Sequence, residues 1–287
     1  MITAVNIGLN GILTGTVYGL MALSLSVIFG VTRIVNFAHG EILVLSALTS
    51  IVAHHFFGIH PFSISPILAL ILFLGCYALQ YTLIHSLLKT SEYSQFIALS
   101  AIAIILVNFQ LFVFGSDSQS VLTASSLRSI SLGPFLIDYM RLWSSVISLL
   151  TVMLLYMFFH FTSQGKSIRA CADNRFAAKI IGLNDRHLYA LSFGIAGIVL
   201  AISGSLMSTL MDISPQLSPQ LTLLSFTIVI IGGLGSQMGS LLGGILVGVI
   251  ESYTAFYSQS SLKSLVSFIL LILVLLVRPH GLMGQRS

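Results

Sequence analysis

The chain has 287 residues, of which 56% are hydrophobic and only 7% charged, with a formal net charge of +4. Soluble domains carry roughly 25% charged residues, so this composition, with a mean hydropathy of +1.03, excludes an ordinary soluble fold and describes an all-α polytopic membrane protein. At about 20 apolar residues per crossing, the length allows about eight to ten transmembrane helices in one membrane domain, residues 1–287, with no room for a soluble one.

Hydrophobic runs read against Pro, Gly and charge punctuation predict helices over 5–30, 38–57, 65–88, 94–114 and 141–162, then over 188–211, 220–235, 239–258 and 263–277. All six prolines are expected at or near helix ends. The opening MITAVNIGLNG lacks the basic stretch of a signal peptide, so the first segment is expected to remain as an anchor. Within it Gly11, Gly15 and Gly19 form two overlapping G-x-x-x-G units, and Gly235, Gly239 and Gly243 form two more, followed by Gly244 and Gly248. Such faces let helices approach closely, either inside one subunit or against a second one.

Between the first two helices, TRIVNFAHGEILVLS places Arg33, Asn36, His39 and Glu41 among apolar residues, with Gly40 as a possible break. Two roles are open to Asn36, His39 and Glu41. They can line a translocation path, because ionisable groups at membrane depth tend to face a cavity or a partner, or they can cap a loop. His54, His55 and His60 have no Cys, Asp or Glu nearby, so no metal site is expected. Residues 115–140 read as an external polar loop, with a short surface helix as an option, and Tyr139 and Trp143 read as interfacial anchors. The seventh segment is short and ends in glycines, which leaves a full span and a broken or re-entrant helix both open. Glu251 is a lone membrane carboxylate, suited to a helix–helix hydrogen bond or to the path. Cys76 falls in an apolar run and Cys171 in a charged loop, so no disulfide is expected.

That loop, 163–187, holds Lys166, Arg169, Asp173, Arg175, Lys179, Asp185 and Arg186. Asp173 is expected to cap a short helix starting at Asn174, and Gly182 to stop it. Phe176 and Ile180, like Ala177 and Ile181, are four apart and give one small apolar face. Arg175 and Lys179 give a basic one, Ala178 lies between, and Asn184 or Asp185 offers a cap for the next membrane helix. If the loop is cytoplasmic, alternation puts Arg33, Lys89, Arg278 and Arg286 on its side and leaves Arg128, Arg141 and Lys263 outside, the bias of the positive-inside rule. The N-terminus is then external and the C-terminus cytoplasmic.

Lys and Arg scattered between hydrophobic runs make no basic groove, so nucleic acid is not an expected partner. The chain has no H-E-x-x-H, no G-x-S-x-G and no pair of membrane aspartates, which argues against an intramembrane enzyme. It also has no G-x-x-x-x-G-K-[ST] phosphate loop, so any ATPase must be another chain.

The charged loop carries a resemblance. GKSIRACADNRFAAKIIGL resembles the cytoplasmic loop of permease subunits in branched-chain amino-acid ABC transporters, at Gly165, Lys166, Arg169, Ala170, Ala172, Ala177, Ala178 and Gly182. Phe176 stands where importer permeases often have an acid. GILTGTVYGLMALSLSVIFGVTRIVNFAHGE, IVIIGGLGSQMGSLLGGILVGVIE and LLILVLLVRPHGLMG are similar to three further family motifs, in the same order. The resemblance implies ABC importer permease architecture in a bacterial inner membrane. It implies a second permease subunit, identical or homologous, two cytoplasmic ATP-binding subunits and a periplasmic substrate-binding protein, with the bilayer as solvent. The chain itself is expected to bind no cofactor, while ATP and Mg are used by the ATPase. Residues 173–182 then form the site that couples to that ATPase. A urea or short-amide importer and an ATP-independent secondary transporter are the alternatives.

Overall fold

The computed structural model describes residues 2–284 except 89, 122, 124–127 and 134. Lys89 and Arg286, named above, and Pro134, one of the six prolines, lie outside these. The long helices are α1 (Ile2–Thr32), α2 (His39–Phe57), α3 (Pro61–Leu79), α4 (Glu92–Phe114) and α5 (Tyr139–Phe161). Then follow α6 (Ser163–Asp173), α7 (Arg175–Ile180), α8 (Asp185–Met207), α9 (Ser218–Gly232), α10 (Gln237–Tyr257) and α11 (Lys263–Val277). Among the described residues eight helical stretches are long and apolar enough to cross a membrane, α3 running on to Leu87 and α9 counted from Pro215, and α11 is a shorter apolar one.

Local chemistry sets the boundaries. Ser91, Asp138, Thr162, Asn184 and Ser236 cap α4, α5, α6, α8 and α10 by accepting from the backbone N–H three residues on. Pro61 opens α3 at the position where its missing N–H costs nothing. Within the spans, hydroxyls such as Ser192, Ser205 and Ser225 donate to the carbonyl one turn back, which satisfies them without water.

Three expectations needed correction. Residues 129–138 form a two-stranded antiparallel hairpin, Ser129–Leu132 with Phe135–Asp138, and no surface helix. SISL alternates polar and apolar residues as a strand does, and the short apolar run FLI suits its partner. Pro66 lies inside α3, still in the N-terminal part of the helix, although the helix was placed to begin beside it. The first half of the charged loop is itself helical, as α6.

α8 is the hub, with most of its residues buried, whereas α4 is peripheral, with few buried. α1 pairs most extensively with α10. The two run antiparallel: a Cβ on Gly11 would lie 2.8 Å from the Val249 Cα, one on Gly15 2.6 Å from the Ile245 Cα, and one on Gly19 2.9 Å from the Leu241 Cα. The facing glycines are Gly244 and Gly248. Gly239 and Gly243 instead pack on α9, at Gly232 and Ile228, and Gly235 sits in the α9–α10 turn with φ of +81° beside Gly30.

The ends sort into two sides. The Tyr253 hydroxyl donates to the Ala4 carbonyl, and the Leu136 N–H to Asn6, so the N-terminus and the hairpin share one end. At the other end lie the close of α1, the α9–α10 turn and the charged loop, and there Leu282 and Met283 donate to the carbonyls of Ile231 and Gly232. The N-terminus and the charged loop are thus at opposite ends, with the C-terminal stretch beside the loop.

Candidate functional site

The charged loop folds as α6, a corner, α7 and a second corner into α8. α7 is capped by Asn174, whose Oδ1 accepts from the Ala177 N–H at 3.0 Å. This corrects Asp173 as the cap. Asp173 is still the last turn of α6, while Asn174 has the extended backbone (φ −148°, ψ 97°) that an N-cap needs. Gly182 (φ +85°) stops the helix: its N–H donates to the Lys179 carbonyl, and the Leu183 N–H to that of Ala178, both at 3.0 Å.

α7 divides into a seated and an open face. Ala178 is buried against the membrane domain, 3% exposed. Phe176, Ile180 and Ile181 are 75%, 71% and 73% exposed, and Ala177 is exposed beside them. Arg175 and Lys179 do not form a free basic face. Arg175 holds the Asp185 Oδ2 at 2.6 Å through Nη2 and 2.8 Å through Nε, and Lys179 Nζ holds the same oxygen at 3.1 Å. The Arg175 guanidinium also lies 5.3 Å from the Tyr189 ring centre. Buried Cys171, its thiol pKa raised by burial, packs underneath.

This clamp ties α7 to the first turn of α8, the hub. α8 in turn grips α3 and the π-helical turn Gln80–Ile84 that continues it: the Arg186 guanidinium donates twice to the Tyr81 carbonyl (3.0 and 2.8 Å) and stacks on that ring, and the Tyr77 hydroxyl meets His187 Nδ1 at 2.9 Å. A displacement of α7 therefore reaches α8 directly and α3 through it. Asp185→Asn is expected to loosen α7 without unfolding the membrane domain. Because Arg175 and Lys179 are partly exposed (36% and 51%), the loss is about 1 kcal/mol, or about a fivefold rise in amide exchange over 175–183. Hydrogen exchange by mass spectrometry checks it; an unchanged rate there contradicts the clamp.

The second cluster is built where the chain turns back. Arg33 has φ of +58°, and the link 33–38 returns along α1 so that buried His39 lies against the Met21 backbone. Asn36 Oδ1 accepts from the Ala38 N–H at 3.1 Å, and the Gly40 N–H donates to Thr222 Oγ1 of α9 at 2.9 Å. Gly40 has no room for a Cβ, which would meet the Ser218 carbonyl. Gln110 Nε2 of α4 donates to the Glu41 carbonyl at 2.8 Å. Neither ring nitrogen of His39, nor Glu41 Oε2, nor Gln110 Oε1 makes a protein hydrogen bond, although all are buried. Arg33 is exposed and separate from Glu41. Asn36, His39 and Glu41 thus lie in one turn, whose backbone at Gly40 and Glu41 is held by Thr222 and Gln110. Those two were legible only as polar residues interrupting apolar runs.

Glu251 lies apart from this cluster, on α10. It accepts from Ser267 Oγ of α11 at 3.1 Å, and the Tyr18 hydroxyl of α1 adjoins it. Tyr18 and Met21 are about one turn apart, so the two polar groups flank the same stretch of α1.

The family described as branched-chain amino acid transport system / permease component matches residues 7–275. The high-affinity branched-chain amino acid transport system permease protein LivH of Salmonella typhimurium is 26% identical, over 96% of this chain and 94% of its own. BraD of Pseudomonas aeruginosa, described in the same words, is 27% identical over the same shares. The probable branched-chain amino acid transport permease protein LivH of Methanocaldococcus jannaschii is 23% identical over 92% and 88%.

Proposed function

The chain belongs to the family of branched-chain amino acid transport system permease components, and we propose that it is the membrane-spanning subunit of an ATP-driven importer of branched-chain or other amino acids. The observation that carries this reading is α7: a capped helix clamped to the hub α8, with Phe176, Ile180 and Ile181 left open. Three such side chains at the tip of a membrane protein, each with about 1.5–3 kcal/mol to gain on burial, fit the groove of a partner.

In this reading the partner is a cytoplasmic ATP-binding subunit, one on each of two permease subunits, and ATP and Mg are bound there. The charged loop and the C-terminus face the cytoplasm of a bacterial inner membrane, and a periplasmic binding protein delivers substrate at the opposite end. Closure of the ATPases pulls on α7, and the Arg175–Asp185 and Arg186–Tyr81 ties pass that motion to α8 and α3. Asn36, His39 and Glu41, with Gln110, offer polar groups inside the bundle that suit a gated, hydrated path.

The test is co-purification. The tagged chain, isolated from its own membranes in mild detergent, is expected to bring down an ATP-binding chain of roughly equal amount. Recovery of a permease that takes up amino acids with no such chain present contradicts the reading and favours a secondary transporter.

A further inference from the structure

In the half of the protein away from the charged loop, α1, α5, α8, α10 and α11 surround a cavity of about 160 Å³. An apolar cavity of about 150 Å³ admits a benzene-sized guest, so this space suits one small molecule and not a peptide. Its walls are of three kinds. Arg141, at the start of α5, and Lys263, at the start of α11, supply two cations. Glu251 supplies a carboxylate, flanked by the Tyr18 hydroxyl and the Ser267 donor. Met207, Leu210 and Met211, at and after the end of α8, supply an apolar wall.

The three charges make no ion pair with one another, although the Lys263 charge acts on Glu251 from a distance. Arg141 has Asp138 3.9 Å away, both side chains more than a third exposed (38% and 39%), which is a weak pair. Among the described residues Lys263 has no carboxylate within ion-pair distance. Glu251 is buried, 7% exposed, and a carboxylate kept at such depth serves a partner or a ligand. Two cations, one carboxylate and a thioether-rich surface in one small space complement a molecule that is itself a zwitterion with an aliphatic tail.

We propose that this cavity is a transit site for a single apolar α-amino acid. The ligand carboxylate sits between Arg141 and Lys263, its ammonium at Glu251 and Tyr18, and its side chain on Met207, Leu210 and Met211. Flexible, polarisable methionines accept branched chains of different shape. The proposal rests on the transport reading and adds a binding step within the permease itself.

The test uses the full chain in lipid nanodiscs, without binding protein, and tritiated L-leucine as probe. Saturable binding is expected, with 4-methylpentanoate, which lacks the ammonium, and 3-methylbutylamine, which lacks the carboxylate, each competing about tenfold or more worse. Glu251→Gln keeps the hydrogen-bonding shape and is expected to weaken leucine by about tenfold while leaving 4-methylpentanoate unchanged. Arg141→Gln with Lys263→Gln is expected to weaken leucine similarly and leave 3-methylbutylamine unchanged. Thermal unfolding like that of the unmodified chain verifies folding in each case. Leucine binding unaffected in both variants, no binding by the folded chain at millimolar leucine, or 4-methylpentanoate binding as tightly as leucine overturns the site. Uptake in the assembled transporter separates the two claims: leucine import insensitive to these substitutions sinks the cavity alone, whereas leucine binding with no ATP-driven import sinks the transport reading.

Discussion

Replacing Phe176 and Ile180 together by glutamate is expected to abolish ATP-driven uptake while leaving the membrane domain folded. Both side chains are about three-quarters exposed, so neither contributes much to the fold of the isolated chain. Burying each in a partner groove is worth about 1.5–3 kcal/mol, and the two charges add a desolvation cost on docking. Together they are expected to weaken ATPase association by about a hundredfold or more. The Asn174 cap and the Asp185 clamp are untouched, so α7 itself persists. The measurement is ATPase retention on the purified permease, with its thermal unfolding as control. Retention equal to that of the unmodified chain removes α7 from the coupling role.

The largest loss of stability is expected from Gly15→Leu. A Cβ at Gly15 would already lie 2.6 Å from the Ile245 Cα, and at Gly248 2.5 Å from the Gly15 Cα. Both contacts are backbone, so no side chain can swing aside, and α1 and α10 must separate along the seam. Overpacking typically costs 1–3 kcal/mol where side chains can adjust; here about 3 kcal/mol or more is expected, with loss of folded yield. Gly75→Leu is the matched control, since a Cβ on Gly75 meets nothing within 4 Å. Equal yields of the two variants would contradict a close-packed seam.

Much of the fold was legible because each membrane helix is a long apolar run closed by polar, Gly or Pro residues. α11 was read at 263–277, the range it occupies, and α2 within one residue. What escaped was relational. G-x-x-x-G spacing marks small faces but not their partners, so Gly239 and Gly243 pack on α9, while Gly244 and Gly248 meet α1. Charge spacing suggested that Arg175 and Lys179 share a face, yet only the fold brings Asp185 under it and closes the clamp. Asp173 and Asn174 are both good cap residues, and the choice between them follows from where α6 ends. Gln110 and Thr222 join the Asn36–Glu41 turn from helices far away in sequence, a contact that no local pattern encodes.

The most direct test of the account is uptake by proteoliposomes assembled from this chain, its second permease subunit, the ATP-binding subunits and the substrate-binding protein. Accumulation of labelled leucine, isoleucine or valine is expected only with ATP inside and all components present. It is expected to be lost with the glutamate pair at Phe176 and Ile180. Uptake by the chain alone down an ion gradient, or ATP-driven uptake undiminished by that pair, would contradict it.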